Sequence, residues 1–224
     1  MELTMFERLL QLPLFQGMTK KEIADVIEHV RLDFVKYEAG EEIVMQDDPC
    51  KSLIYIINGE MSTDYIDVKH KFSLTEDIPN IGVIEPYNMF GMMPRYSRTY
   101  IFKTAGTTLA IDKQMLLSHL MSSSIVRINM MNITCNRYHQ VLKLMNDFPD
   151  NTVGEKITKF VLSYSSVPKG GKELHMKMTD LADIVHDTRL NVSKALNAMQ
   201  DAGLLELQRN KFTIFDIAKL YNRI

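Results

Sequence analysis

Cysteine is scarce in this chain of 224 residues, which contains only Cys50 and Cys135. The two lie far apart in unrelated contexts, and neither belongs to a CxxC motif or a Cys/His cluster. A disulfide framework, a structural zinc site and a four-thiolate iron–sulfur cluster therefore have no support. The six histidines are scattered, and none falls in an H-x-H or HExxH spacing. We therefore expect no metal ion, iron–sulfur cluster or haem.

The sequence also lacks long apolar runs, since none approaches the length that spans a bilayer. Its first residues do not follow the charged-then-apolar layout of a signal peptide, because Glu2, Glu7 and Arg8 interrupt it. We expect a cytoplasmic protein with no membrane partner.

An excess of basic residues is missing as well. The formal net charge is −2, which argues against binding nucleic acid over the whole surface. A DNA-binding face therefore has to be a local patch, for which the candidate cations are Arg189, Lys194, Arg209 and Lys211.

The segment between Phe34 and Ile111 is organised as short β-type runs separated by turn residues. It follows a helical stretch from Met1 to about Arg31. The predicted strands include Glu41–Met45, Ser52–Ile57, Gly59–Asp67, Ile81–Glu85 and Arg98–Thr104, with Asn58-Gly59 and Pro79-Asn80 among the breaks. This pattern predicts a small antiparallel barrel or sandwich.

A long helix is predicted from about Lys113 to Asn146, with a break near Ser122–Ser124. Apolar residues recur along it with alternating spacings of three and four, which is the a/d pattern of a coiled coil. This dimer seam consists of Ile128, Met131, Cys135, Tyr138, Leu142 and Met145. The alternative is one helix packed on its own barrel; the polar remainder of the surface favours a parallel dimer. Phe148-Pro149-Asp150-Asn151 ends the helix and predicts a hinge.

Met178–Met199 reads as two short helices joined by a tight turn, after an amphipathic helix at Val153–Ser163. Thr179 and Thr188 are predicted N-caps, and Val192 and Leu196 follow at helical spacing. The solvent side then carries donors and amides, as a recognition helix needs: Arg189, Asn191, Ser193, Lys194 and Asn197. A predicted β-hairpin follows, with Arg209 and Lys211 at its tip placed to reach phosphates. Together these elements predict a winged helix.

This order of parts resembles the Crp/Fnr family of bacterial transcription regulators. In the barrel the resemblance rests on Tyr37, Gly40 and Ile43 and on the strand and turn Ser52–Gly59. The approach to a phosphate-binding cassette at Pro86–Gly91 and the recognition-helix start at Thr188–Lys194 complete it.

The resemblance implies an α+β fold in three parts. These are a cyclic-nucleotide-binding-like antiparallel β-barrel (jelly roll) with N-terminal helices over 1–112, a dimerisation helix over 113–147 and a winged helix-turn-helix over 148–224. It implies a homodimeric regulator, not an enzyme, that binds a pseudo-palindrome in double-stranded DNA, with RNA polymerase as a further candidate partner. A ligand-binding or protein-interaction module that does not read DNA is the alternative.

The resemblance also assigns roles in the recognition helix. Arg189 is placed to bond guanine, whereas Lys194 stands where the family commonly has arginine and is expected to contact phosphate or to discriminate bases weakly. Leu190 replaces an acidic residue and can touch a thymine methyl group. Asn191 either reads adenine or caps the helix. Thr179 and Ser193 contact phosphates or satisfy nearby backbone.

In the barrel, Arg98-Thr99 is similar to the pair that holds an anionic effector in the family, and Gly91 marks the cassette. Met92, however, stands where a ribose-binding glutamate is expected, and the cassette is short. We therefore expect an effector other than cyclic AMP, or an Arg98 that pairs with a carboxylate instead. The methionines at 89, 92, 93, 130 and 131 indicate adaptable packing or a flexible apolar ligand site.

Overall fold

The structure, a computed structural model, describes residues 5–28, 30–78, 82–148 and 150–221. Its backbone divides into two compact units, and the boundary passes through two strands and one helix. The first unit comprises Met1–Met61, Pro79–Ser97 and Ile101–His139, and the second comprises Ser62–Ile78, Arg98–Tyr100 and Gln140–Ile224.

Eight α-helices occur in the described residues. They are α1 (Met5–Gln11), α2 (Lys20–Ile27), α3 (Lys113–Ser118), α4 (Ser124–Asp147), α5 (Val153–Tyr164), α6 (Met178–Ile184), α7 (Arg189–Asp201) and α8 (Ile217–Tyr221). Capping explains several starts: the side chains of Thr19 and Thr152 each close a capping box, and Asp112 accepts from the first turn of α3. The predicted break near Ser122–Ser124 is confirmed, because a 3-10 turn at Leu120–Ser122 separates α3 from α4.

Eleven strands occur in the same residues. They are β1 (Asp33–Tyr37), β2 (Glu42–Val44), β3 (Ser52–Asn58), β4 (Met61–Asp67), β5 (Phe72–Ile78), β6 (Val83–Ile84), β7 (Thr99–Phe102), β8 (Gly106–Asp112), β9 (Lys172–His175), β10 (Leu205–Gln208) and β11 (Lys211–Ile214). The predicted turn at Pro79-Asn80 and the start of the strand predicted at Ile81–Glu85 lie outside the described residues, as do Met1–Thr4 and Pro149.

In the first unit, β1, β8, β3 and β6 form an antiparallel sheet in that order. Tyr55 of β3 lies opposite Leu109 of β8, and both are fully buried. Neighbouring Leu53 and Ile111 are paired and buried in the same way, so the apolar runs of these strands form the core of this unit.

In the second unit, the strands follow the order β10, β11, β9, β5, β4 and β7. Leu174 of β9 lies opposite Phe212 of β11 on one side and Leu74 of β5 on the other, and all three are buried. Phe72 packs on α5, with its ring centroid 5.1 Å from that of Phe160. Strand β5 is therefore paired with the winged helix through β9, a strand that the sequence did not predict.

The predicted antiparallel N-terminal strands, long helix and C-terminal winged helix-turn-helix are all present, so the α+β fold class is confirmed. One capping prediction is wrong. Helix α6 begins at Met178 with Lys177 as its N-cap, so Thr179 is already the second helical residue and cannot cap it. Among the described residues, no helix combines the length and the apolar character that a membrane crossing requires.

Candidate nucleic-acid interface

The recognition helix α7 is anchored by its apolar face. Val192 and Leu196 are buried and join Leu181 and Val185 of the preceding helix region in one core cluster. The N-cap predicted at Thr188 is confirmed, since its hydroxyl accepts a hydrogen bond of 3.2 Å from the backbone N–H of Asn191. The opposite side of α7 is thereby fixed toward solvent.

The exposed residues of α7 include Arg189, Leu190 and Lys194, and also Asn191 and Asn197. Leu190 is 63% exposed, whereas Val192 and Leu196 of the same helix are buried. Ser193 is half-buried, and Thr179 lies exposed on α6. A cation, an apolar group and a second cation within six residues are suited to contacting base edges and phosphates.

Asn191 is engaged within the helix-turn-helix. Its side-chain Nδ2 donates to Asp187 Oδ1 over 2.8 Å, and the backbone N–H of Thr188 donates to the same oxygen over 2.8 Å. These two hydrogen bonds lower the pKa of the Asp187 carboxyl group, and the one from Asn191 has the larger effect. The Asn191 side chain thus bonds Asp187 at the start of α7, and its two predicted roles, reading adenine and capping the helix, stay predictions. Asn197 is similar, because its Nδ2 donates to the Ser193 carbonyl over 2.7 Å.

The wing is the hairpin of β10 and β11. Its turn holds Arg209, which is exposed, and Asn210, whose φ of 58° is left-handed. Lys211 differs, because its Nζ lies 2.6 Å from Glu173 Oε2 of β9, and His175 bonds the other oxygen over 2.7 Å. The hydrogen bonds from Lys211 and His175 lower the pKa of Glu173.

The start of α7 and the wing tip border one cleft. Its lining includes Arg189 from the helix and Arg209 and Lys211 from the wing, above the apolar side chains of Met178 and Leu207. Arg189 and Arg209 therefore border the same cleft.

The four predicted effector residues are divided between the two units. Gly91 has a φ of +108°, and Met92 is fully exposed, so neither is enclosed within the first unit. Arg98 belongs to the second unit and is only 6% exposed. The carbonyl of Thr99 accepts from the Thr63 hydroxyl over 2.9 Å, which is a contact between β7 and β4.

Arg98 pairs with a carboxylate of its own chain, as one of the alternatives from the sequence anticipated. Its Nη1 donates to Glu76 Oε1 over 2.7 Å, and its Nη2 donates to the carbonyl of Tyr164. The other oxygen of Glu76 accepts from Lys172 Nζ over 2.5 Å. We call Arg98, Glu76 and Lys172 the Glu76 cluster.

The Glu76 cluster is deeply buried, since Glu76 is 0% and Lys172 is 1% exposed. Glu76 Oε1 also accepts from the backbone N–H of Ser166 over 2.8 Å, and burial lowers the pKa of Lys172. Two cations thus share one carboxylate, so removal of Glu76 leaves both without a counter-charge. Sequence reasoning missed Glu76, although a signal existed: it is in phase with Phe72, Leu74 and Ile78 on the inward face of β5.

The dimer seam on α4 remains largely uncovered in the single chain. Ile128, Met131, Tyr138 and Met145 are each more than half exposed, Cys135 is exposed and Leu142 is half-buried. Exposed apolar residues recurring along one helix mark an interaction surface.

A shallow apolar groove lies in the first unit, lined by Phe90, Met130, Met131 and Cys135 among others. Of the methionines expected to gather there, Met89 is buried elsewhere in the unit's core and Met92 is fully exposed. Within the described ranges, no three His, Cys, Asp or Glu side chains are grouped so as to hold a metal ion.

The sequence of the C-terminal region agrees with this geometry. Residues 155–223 match the family model of the Crp-like helix-turn-helix domain. The C-terminal region is a Crp-like helix-turn-helix domain. Among curated proteins, none matches the chain in sequence.

A solved structure shares the fold of nearly the whole chain, and two others align with lower scores. A protein from Eubacterium rectale described as a transcriptional regulator of the crp/fnr family aligns with a TM-score of 0.54 at 18% identity, covering 94% of this chain and 97% of that one. The Thermus thermophilus catabolite activator protein aligns with a TM-score of 0.48 at 19% identity, covering 93% and 96%. DNR from Pseudomonas aeruginosa gives 0.46 at 14% identity, covering 98% of each chain. The family match and the first of these likenesses confirm the predicted resemblance to Crp/Fnr regulators.

The charge balance of the Glu76 cluster predicts how two substitutions change the stability of the fold. Glu76→Gln leaves Arg98 and Lys172 buried without a counter-charge and is expected to lower the free energy of unfolding by about 3–5 kcal/mol. Lys172→Met leaves Arg98 and Glu76 paired one to one and removes a desolvated cation, so its effect is expected to stay within about 1 kcal/mol. Urea unfolding followed by circular dichroism measures both. Equal losses for the two variants contradict the assigned charge balance.

Proposed function

We propose that the protein is a homodimeric, DNA-binding transcription regulator of the Crp/Fnr type. The observation that carries the proposal is the exposed face of α7, with Arg189, Leu190 and Lys194 outward while Val192 and Leu196 are locked in the core. That face belongs to the region that matches the Crp-like helix-turn-helix domain. A regulator of this kind acts on the chromosome, which supports a cytoplasmic location.

We propose distinct tasks for the exposed residues of α7. Arg189 at the first helical position reads a guanine, and Leu190 touches a thymine methyl group. Lys194, one turn further on, contacts a phosphate, because an ammonium group lacks the fork for bidentate base reading. Arg209 in the wing holds the backbone on the far side of the shared cleft. The hydrogen bonds of Asn191 and Asn197 support structural roles for both amides.

We propose that two chains pair through the dimer seam on α4. A two-fold axis along the seam places two recognition helices about 34 Å apart, one turn of DNA, and thereby selects a pseudo-palindrome. The exposure of Met131, Tyr138 and Met145 supports this pairing, since it removes their apolar surface from water. A regulator so placed on a promoter has RNA polymerase as a candidate partner.

The effector proposal changes in one respect. Arg98 remains the candidate anion ligand of the barrel strands, but an anionic effector has to displace Glu76 from it. This cost adds to the missing ribose-binding glutamate at Met92 and supports an effector other than cyclic AMP. A change in the orientation of the winged helix about the hinge at 148–151 is the proposed response, with Pro149 outside the described residues.

A ligand-binding or protein-interaction module is the second candidate. It is favoured by the pairing of Lys211 with Glu173, which removes one predicted phosphate contact from the wing. The absence of an acid/base or metal constellation among the motifs in the sequence argues against an enzyme.

Selection of genomic fragments over a series of salt concentrations separates these two functions. A regulator is expected to enrich a pseudo-palindrome, with affinity that falls steeply as salt rises. An affinity that does not change with salt concentration, together with no enriched palindrome, would contradict the DNA-binding proposal.

Arg189→Ala is expected to weaken binding to the enriched fragment by about 1–3 kcal/mol and to relax the preference at one base pair of each half-site. Arg31→Ala, which removes an exposed arginine from the first unit, is the control for net charge. Fluorescence anisotropy on the fragment and on its point variants measures both effects. Loss of affinity without any change in base preference contradicts the role in base reading.

Tyr138→Glu is expected to convert the dimer to monomers, because it places two like charges in the apolar seam. Asn136→Glu adds the same charge to an exposed position of α4 outside the seam and is expected to leave the dimer intact. Sedimentation equilibrium measures the change. A wild-type chain that is monomeric at micromolar concentrations contradicts the dimer proposal.

A further inference from the structure

Two hairpin turns of the second unit lie at the same end of its sheet. His175 of β9 is paired with Lys211, the first residue after the wing turn, and with Ser73, the second residue of β5. The four-residue turn Val68–Lys71 immediately precedes β5. Because β9 is antiparallel to both of its neighbours, the wing turn and the β4–β5 turn project from one edge.

The spacing between these turns suits one duplex. The strand order β10, β11, β9, β5, β4 places the centres of the two turns three strand intervals apart. At about 4.8 Å per interval, the separation is roughly 14 Å. That distance is close to the width of a DNA major groove, about 12 Å. Arg189 and Arg209 border the cleft beside the wing turn, so the β4–β5 turn lies at the same end of the sheet as the cleft.

The β4–β5 turn is basic and braced. Lys69 and Lys71 are exposed at its tip, beside Val68, which is 84% exposed. Asp67, the last residue of β4, is bonded by His70 of the turn: the His70 backbone N–H donates to Oδ1 over 2.8 Å, and His70 Nδ1 lies 2.7 Å from Oδ2. The turn therefore offers two ammonium groups on a fixed backbone.

The hairpin is also firmly attached to the wing sheet. Leu74 and Leu174 pair in the core, and the paired residues Glu76 and Lys172 form the buried ion pair further along the same two strands. Across the hairpin, the hydroxyl of Thr75 donates to Asp64 over 2.6 Å. The position of Lys69 and Lys71 is thus set by buried contacts of the winged-helix sheet.

We propose that the β4–β5 turn is a second wing, in which Lys69 and Lys71 bind phosphates of duplex DNA beside those held by Arg209. This inference rests on the proposed function and extends its contact surface. It accounts for the pairing of Lys211 with Glu173, because two further cations replace the one that the wing has engaged. Phosphate contacts carry no sequence information, so the second wing sets affinity and salt dependence and leaves the choice of bases to α7.

The test compares Lys69→Gln/Lys71→Gln with Lys36→Gln/Lys51→Gln, which removes the same charge from exposed positions of the first unit. Anisotropy is measured over a salt series with the enriched genomic fragment and with a mixed-sequence duplex of equal length. The first variant is expected to bind both duplexes about tenfold more weakly, and the slope of log K against log salt is expected to fall by about 0.9 for each lost contact, or about 2 per protomer.

The outcomes separate the two levels of the proposal. If the wild-type chain binds the enriched fragment and the Lys69/Lys71 variant matches its control, the second wing is wrong and the regulator function stands. If the variant loses affinity for the fragment only, the lysines read sequence and the phosphate role is overturned. If the wild-type chain binds neither duplex, both proposals fail.

Discussion

One buried carboxylate, that of Glu76, joins three segments of the chain. It accepts hydrogen bonds from Arg98, from Lys172 and from the backbone of Ser166, which lie far from each other in sequence. Burying two cations is tolerable only because this carboxylate lies between them. The pairing of β5 with β9 depends on the same contact, since Glu76 and Lys172 are register partners in that ladder. The segment Ser62–Ile78, which contains most of β4 and all of β5, therefore belongs to the compact unit that contains the winged helix.

Local signals in the sequence predicted most helices, strands and turns well. They could not predict which strands pair over long distances in the sequence. The Thr188 cap, the break near Ser122–Ser124 and the wing hairpin each depend on a few neighbouring residues, and the structure contains all three. Strand β9 was missed because Lys172–His175 contains a single apolar residue, so its sequence shows no alternation of apolar and polar residues. Its partner lies 96 positions away, at the distance that separates Glu76 from Lys172. Nothing local in either segment identifies such a pairing.

The candidate DNA contacts were selected from the sequence by residue type alone. Their hydrogen-bond and ion-pair partners in the structure show which of them are already engaged. Asn191 and Lys211 have the right chemistry, yet Asp187 and Glu173 engage them. Arg189, Leu190 and Arg209 are exposed at the cleft or beside it. The partner of Lys211 was not readable from the sequence, because Glu173 contacts Lys211 only through the β9–β11 ladder.

Strand β5 links the two proposed activities of the chain. It carries Glu76, which an anionic effector has to displace from Arg98, and it begins at the turn that holds Lys69 and Lys71. A ligand shifts a conformational equilibrium only by its difference in affinity for the two states. An anion that binds Arg98 only after Glu76 has left it favours states in which the Arg98–Glu76 contact is open. By reciprocity, DNA that favours states in which the Arg98–Glu76 contact is closed opposes that anion. Effector and DNA are thus expected to bind antagonistically if the signal enters at Arg98. Positive coupling requires a signal that enters elsewhere in the chain.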